Sequence, residues 1–296
     1  MNPFTLATYN ICHGKHPEHI LENVLRLKAE GAGIICLQEV RKPADKPFLG
    51  DALKRRLGKS WRAHYLLGNH SPVPHRDLGL ATYWDSSVFE EVFCDRVGLP
   101  GIESYHLGRQ LLTLQRQSSE RGALVLTFKF GENVFRVVNV HLDLYGGAAH
   151  RLRQIAHLAG YLRADEESKD ILCGDLNTIG TSAWRATQRE QARSLLGDDF
   201  MEVLPELGGS WRLGTLGRTG LVHGPARELT RFVGRWFQQR LDYIFCRGFG
   251  VTDARVLKCD GSDHLPLFAR FLPLASAENS ESKSRKSLER IGRVRV

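Results

Sequence analysis

The sequence predicts an α/β protein in which two mixed β-sheets pack face to face with helices outside. Two observations carry that prediction. About a dozen short apolar runs read as strands, more than one open sheet readily holds. Some are joined by tight turns and others by helical patterns, a mixture that calls for helices on the sheet faces. A chain of 296 residues that is 42% hydrophobic and 25% charged can bury a core of that size.

Taken in order, the strand candidates are 4–11, 33–38, 61–67, 78–84, 88–94, 111–116, 123–130, 134–141, 170–174, 241–246, 251–258 and 266–271. Helical spacing of apolar residues marks 17–30, 47–58, 148–164, 181–196 and 226–239. The Gly131-Glu132-Asn133 turn between two strand candidates reads as a hairpin. Residues 1–273 are expected to form a single domain. The Ser-, Glu-, Lys- and Arg-rich stretch 274–296 lacks the apolar content to fold alone and is expected to be a flexible basic tail.

Charge is unevenly distributed. The formal net charge is +8, and six arginines (212, 218, 227, 231, 235 and 240) against Glu228 give the stretch from Gly208 to Arg240 a net +5. The tail supplies the other +3, so the remainder is neutral. Such localisation suits a polyanion or an anionic surface, or a solvated basic face.

Six cysteines (12, 36, 94, 173, 246 and 259) are scattered through apolar runs without a C-x-x-C pair, as expected of free thiols in a reducing compartment. Met1 leads into an alternating apolar strand with no leader pattern, and no apolar run is long enough to span a bilayer. A soluble cytoplasmic monomer is the expectation.

Polar residues that bind metal or move protons recur where strands end. Asn10 closes the first strand, a position where an ordinary turn Asn is also common. Glu39 ends the apolar run Ile34-Ile35-Cys36-Leu37-Gln38, and a carboxylate so placed needs a partner or a cation. His141 ends a third strand, where its imidazole can donate to a phosphoryl oxygen, with Asp143 two residues on as a helix-entry or hydrogen-bonding residue. Asp175 and Asn177 project alike after Gly174 and can orient a water or carry a proton. Asp242 opens a strand, and Asp263-His264 can divide metal binding from base catalysis, with Asp242 orienting the imidazole if the strands are neighbours.

The elements Tyr9-Asn10, Leu37-Gln38-Glu39-Val40, Asn139-Val140-His141-Leu142-Asp143, Gly174-Asp175-Leu176-Asn177, Leu241 to Phe245 and Ser262-Asp263-His264-Leu265-Pro266 span most of the chain. In that order they resemble the endonuclease/exonuclease/phosphatase superfamily, which includes pancreatic-type deoxyribonucleases, abasic-site endonucleases and neutral sphingomyelinases. The resemblance implies a four-layer α/β sandwich and a metal-dependent phosphohydrolase. It implies a magnesium ion, with manganese a substitute, among Asn10, Glu39 and Asp263. It also implies catalytic roles for His141, Asp175, Asn177, Asp242 and His264, without a covalent enzyme intermediate.

The substrate is less legible. Thr178-Ile179-Gly180 follows Asn177, which departs from the element of the inositol phosphatases. Phosphate-backbone contacts by the basic segment suit a nuclease acting on DNA or RNA, with Trp184, Trp211 and Trp236 as stacking platforms or as core. Leu229, Phe232, Val233, Trp236 and Phe237 fall on one helical face with Arg227, Arg231 and Arg235 off it. That face either covers the sandwich or touches an anionic membrane, as a phospholipid or sphingolipid phosphodiesterase would need. A small-molecule phosphatase and a non-catalytic nucleic-acid-binding module remain as alternatives. In each case Arg231, Arg235 and Trp236 are the expected substrate contacts.

Overall fold

The computed structural model describes residues 2–42, 48–67, 79–102, 121–165, 168–204, 206, 209–212 and 238–274. The first six-stranded sheet has the order β13-β14-β1-β2-β4-β3. Its strands are β1 (Phe4–Asn10), β2 (Ile34–Val40), β3 (Trp61–Leu66), β4 (Gly79–Asp85), β13 (Phe249–Val256) and β14 (Leu267–Pro273). The second sheet, β5-β6-β7-β8-β12-β9, is built from β5 (Glu90–Leu99), β6 (Arg121–Phe130), β7 (Asn133–His141), β8 (Lys169–Asp175), β9 (Met201–Val203) and β12 (Asp242–Arg247). A two-residue pair, β10 (Trp211–Arg212) with β11 (Gln238–Gln239), stands apart from both.

Helices α1 (Pro17–Ala29) and α2 (Leu49–Leu57) share an apolar cluster with the outer face of the first sheet, where Ile20, Val24 and Leu53 meet Ile35, Leu37 and Tyr83. The other two, α3 (Gly147–Arg163) and α4 (Ser182–Leu196), cover the second sheet through Leu158, Leu162 and Leu196 against Val138, Leu172 and Phe245. Between the sheets lies a third cluster in which the Phe4 ring sits 4.8–5.7 Å from those of Phe89, Phe130, Phe135, Phe249 and Phe271. The four layers are therefore helix, sheet, sheet and helix.

Every predicted strand within the described residues is present, with its ends moved by a few residues, and so are the first four helices. Strand 111–116, most of helix 226–239 and the tail 275–296 lie outside the described residues. The two described residues of that helix, Gln238 and Gln239, are strand instead, because they pair with Arg212 and Trp211. Strands β9, β10 and β11 went unforeseen, since two or three residues carry no period.

Strand alternation explains where the polar groups gather. On the inter-sheet face β1 presents Leu6, Thr8 and Asn10, β2 presents Ile34, Cys36 and Gln38, and β7 presents Val137, Asn139 and His141. Likewise β8 presents Ile171, Cys173 and Asp175, while antiparallel β12 presents Cys246, Ile244 and Asp242. Each row grades from apolar to polar toward the same end. The middle rung closes on itself, with Gln38 Nε2 donating to Thr8 Oγ1 at 2.9 Å and to Asn139 Oδ1 at 2.8 Å.

Candidate active site

Register places three of the predicted residues side by side. Asp175 on β8 is paired with His141 on parallel β7 and with Asp242 on antiparallel β12. From the other sheet come Asn10, at the end of β1, and Glu39, in a β-bulge of β2 between Gln38 and Val40. Bulges re-aim side chains. Here Glu39 takes a φ of 59°, and Asn177, Cys12 and His13 are also left-handed at 52°, 47° and 60°. Such values are uncommon for residues with a side chain and cluster at functional sites.

Asp175 Oδ2 is the hub. It accepts from Asn10 Nδ2 at 2.9 Å and lies 3.7 Å from His141 Nε2 and 3.8 Å from His264 Nε2. Its partner oxygen accepts from the backbone N–H of Asn177 at 2.8 Å. Gly174 lets the strand approach this closely, because a Cβ there would fall 2.0 Å from the Val140 carbonyl oxygen. Burial and the neighbouring Asp242 outweigh these donors and push the Asp175 carboxyl up to about 7.

The two imidazoles are driven apart. Burial favours a neutral His264, but Asp242, bonded to its Nδ1 at 2.7 Å, and Asp175 together hold its pKa well above the ordinary value. His141 has no such close partner, and burial with the neighbouring Arg121 and His264 depresses it well below. Arg121 Nη1 donates to His141 Nδ1 at 3.4 Å, which leaves the imidazole proton on Nε2, facing Asp175 and, at 4.0 Å, Glu39 Oε1. Opposed pKa shifts on adjacent groups are a mark of acid–base chemistry.

All eight residues proposed from sequence for the metal and the chemistry are described, and their positions are unequal. Asn10 turns its amide N–H2 to Glu39 Oε1, at 3.2 Å, and to Asp175, while its oxygen accepts from the Cys12 backbone N–H at 3.0 Å. Asn177 donates to the Leu142 carbonyl at 2.9 Å, tying β8 to the end of β7. Asp263 receives the indole N–H of Trp211 at 2.9 Å. Asp143 serves helix entry, accepting from the Tyr145 and Gly146 backbone N–H groups at 2.7 and 3.0 Å. Arg231, Arg235 and Trp236 lie outside the described residues. Arg240, counted with the basic segment, is buried instead, 2.7 Å from Glu202 and with its guanidinium over the Tyr243 ring.

Sequence reading missed three residues and the task of a fourth. Arg121 has no local signal, since His141, which it touches, is 20 residues away. His13 lies 3.3 Å from Glu39 Oε2, and its Cys-His-Gly neighbourhood after Asn10 was a usable cue. Ser210 Oγ donates to Asp242 Oδ2 at 2.7 Å and accepts from the backbone N–H groups of Leu241 and Asp242. Next to it, Trp211 holds Asp263 and bridges the backbone of His264, a positioning task in place of a stacking one.

The sequence matches the Endonuclease/Exonuclease/phosphatase family over residues 7–264, the interval that contains every one of these groups. The chain belongs to this family. Solved structures share the fold at low identity. An endonuclease/exonuclease/phosphatase from Bacteroides vulgatus aligns with a TM-score of 0.66 and 14% identity over 92% of this chain and all of its own. The human Nocturnin catalytic domain with bound sulfate gives 0.63 and 20% over 92% and 93%. Danio rerio TDP2 complexed with a single-strand DNA product gives 0.63 and 14% over 92% and 100%. No curated protein sequence matches the chain.

Endonuclease/exonuclease/phosphatase proteins are phosphoester hydrolases and generally depend on a divalent metal, and the residues present here fit one. Ligand atoms of Glu39, His141 and Asp175 lie within 4.8 Å of one another, as do those of Asp175, Asp242 and His264. The second trio is already joined by the short Asp242–His264 hydrogen bond, so the Glu39 side has the freer donors. Asp263 belongs to neither trio, but it and Glu39 both act on the Cys12 thiol and raise its pKa. Carboxylate oxygens dominate, which suits a hard cation. Nearby, Asp242 Oδ1 is buried without a hydrogen-bond partner, one more sign of under-compensated negative charge.

Proposed function

We propose that this chain is a magnesium-dependent phosphodiesterase that cleaves nucleic acid. The observation that carries the reading is Asp175 Oδ2, set beside Glu39 and between two imidazoles of opposite protonation. Glu39 and Asp263 would hold the cation, with Asn10 turning its oxygen inward or bracing Glu39 through its amide N–H. The cation supplies Lewis-acid polarisation of the phosphoryl oxygen. Asp175, braced by Asn177, orients the attacking water and takes its proton. Charged His264, fixed by Asp242, and the Nε2–H of His141 donate to the phosphoryl oxygens, where negative charge grows in the transition state. Arg121 fixes the His141 tautomer and adds a positive charge beside it.

Support for nucleic acid comes from charge and from rooting. The basic segment leaves after Arg212 and returns at Gln238, and its roots touch the site, because Trp211 bonds Asp263 and Asp242 follows three residues after Gln239. Arg231, Arg235 and Trp236 belong to that basic segment of the sequence. Among the relatives, Danio rerio TDP2 was solved with a single-strand DNA product.

The test is nicking of supercoiled plasmid at low and moderate salt. Nicking is expected with magnesium, should be abolished by chelator and by Glu39→Gln, and should weaken as salt rises. A folded protein that hydrolyses lipid phosphodiesters or phosphomonoesters but leaves nucleic acid intact would overturn the substrate assignment while keeping the chemistry.

A further inference from the structure

Two of the large apolar side chains exposed among the described residues stand next to the catalytic strand end. Ile179 is 43% exposed and Trp184 53%. Ile179 follows Asn177 by two residues, and its backbone N–H donates to the Asn177 carbonyl at 2.8 Å. Trp184 lies on the first turn of α4, which is capped by Thr181 Oγ1. Its indole rests on bare backbone, since a Cβ at Gly180 would sit 2.5 Å from the ring's Cδ1. Gly180 also has a φ of +148°, so a side chain there would be both strained and in the way. Beside them Arg185 reaches back, its Nη1 donating to the Gly180 carbonyl at 2.8 Å.

Chain geometry fixes the reach. Gly180 is three residues beyond Asn177, at most about 11 Å between Cα atoms. The indole, resting on Gly180, therefore lies close to the strand end that carries Asp175 and Asn177. An indole left half in water normally has a reason to be there, because tryptophan is highly buried on average.

We propose that Trp184, with Ile179 and Arg185, forms a stacking subsite for a nucleobase flanking the scissile phosphate. This rests on the phosphodiesterase reading above and adds the single-stranded or locally unpaired base as the recognised group. An aromatic face with an adjacent guanidinium is the combination that binds bases without reading sequence. The alternatives fit less well. A stable protein interface needs about 800 Å² from each partner, far more than two side chains expose. The rest of the exposed face of α4 is Ser, Ala, Thr, Glu and Gln, which offers a membrane no apolar stripe.

The experiment compares the full chain with Trp184→Ala and Trp184→Phe, each binding a labelled eight-nucleotide single strand in chelator, where no cleavage occurs. The same strand is then tested with its bases replaced by abasic units. Trp184→Ala is expected to bind the normal strand about tenfold more weakly, Trp184→Phe within about threefold of the parent, and all three proteins should bind the abasic strand equally. With magnesium, Trp184→Ala should raise KM for the normal strand about tenfold and leave kcat nearly unchanged. Equal binding of both strands by parent and Trp184→Ala, in a protein that still cleaves DNA, would sink the subsite and spare the nuclease reading. Failure of the parent to bind or cut any strand would remove both. Trp184-dependent binding to phosphatidylserine vesicles in place of DNA would reassign the patch to membranes and overturn the proposal.

Discussion

Strand β8 carries two buried aspartates, and the molecule treats them in opposite ways. Asp170, at the start, faces α3 and is gripped by two guanidinium groups. Arg136 Nε and Nη2 approach at 2.6 and 3.1 Å, Arg247 bonds it through Nε at 2.9 Å and through Nη2, and Ser168 Oγ lies within 3.2 Å of both oxygens. Asp175, five residues on, faces the gap between the sheets, where its donors are an amide and a backbone N–H and its neighbour on β12 is another aspartate. One end of the strand has more cation than it needs. The other has less, and its carboxyl is driven up to about 7. The contrast separates a charge used to lock the fold from one that the proposed function uses for chemistry.

The comparison is most exposed to failure at Asp175. Asp175→Asn should lower kcat for a phosphodiester by about 10²–10⁴-fold, the span of acid–base contributions, and should not reduce chemical stability. A destabilised yet active variant would mean that Asp175 belongs to the lock after all. Asp170→Ala is the mirror case. It leaves buried Arg247 and part-buried Arg136 without the carboxylate they share and should cost about 3–5 kcal/mol in urea unfolding, with kcat per folded molecule unchanged.

A smaller effect is expected where the two functions touch. Replacing Trp211 by its benzothienyl isostere keeps the ring and removes the N–H bonded to Asp263. Calorimetric magnesium affinity should fall about threefold to tenfold with little change in melting temperature, the size expected when a single hydrogen bond is lost. Unaltered affinity would show that Asp263 needs no indole to hold it.

The smallest effect concerns pH. Buried His150 has its pKa lowered, chiefly by burial, so the unfolded chain binds its proton first. The stability it confers is present above the ordinary histidine pKa and is lost as pH falls through that range and below. Replacing His150 by Gln should flatten the acid side of the stability–pH curve, and an unchanged curve would remove the assignment.

Much of this was legible in the sequence because the informative residues are local. Asn10, Glu39, His141, Asp175 and Asp242 each lie at a strand end, and strand period brings all but Glu39 to one edge of the interior face. The two-sheet architecture followed from counting strands. What stayed hidden depends on contacts between distant segments. Arg121 acquires meaning only when β6 pairs with β7, and Ser210 only when a two-residue strand carries it to Asp242. Gln238 and Gln239 extended an amphipathic pattern and were read as helix, whereas cross-strand pairing decided their state. The inward turn of Glu39 comes from a bulge, which a plain alternation of residue types does not announce.

The place of β1 has a consequence for how the protein is made. That strand lies between β2, close by in the chain, and β14, which begins more than 250 residues later. During synthesis its β14 edge stays open until almost the last strand has left the ribosome, and Asp263 and His264 arrive with that same late segment. Pairing over such distances is slow and leaves a sticky edge in the meantime. The chain should therefore be inert toward phosphodiesters and dependent on chaperones until β14 pairs with β1.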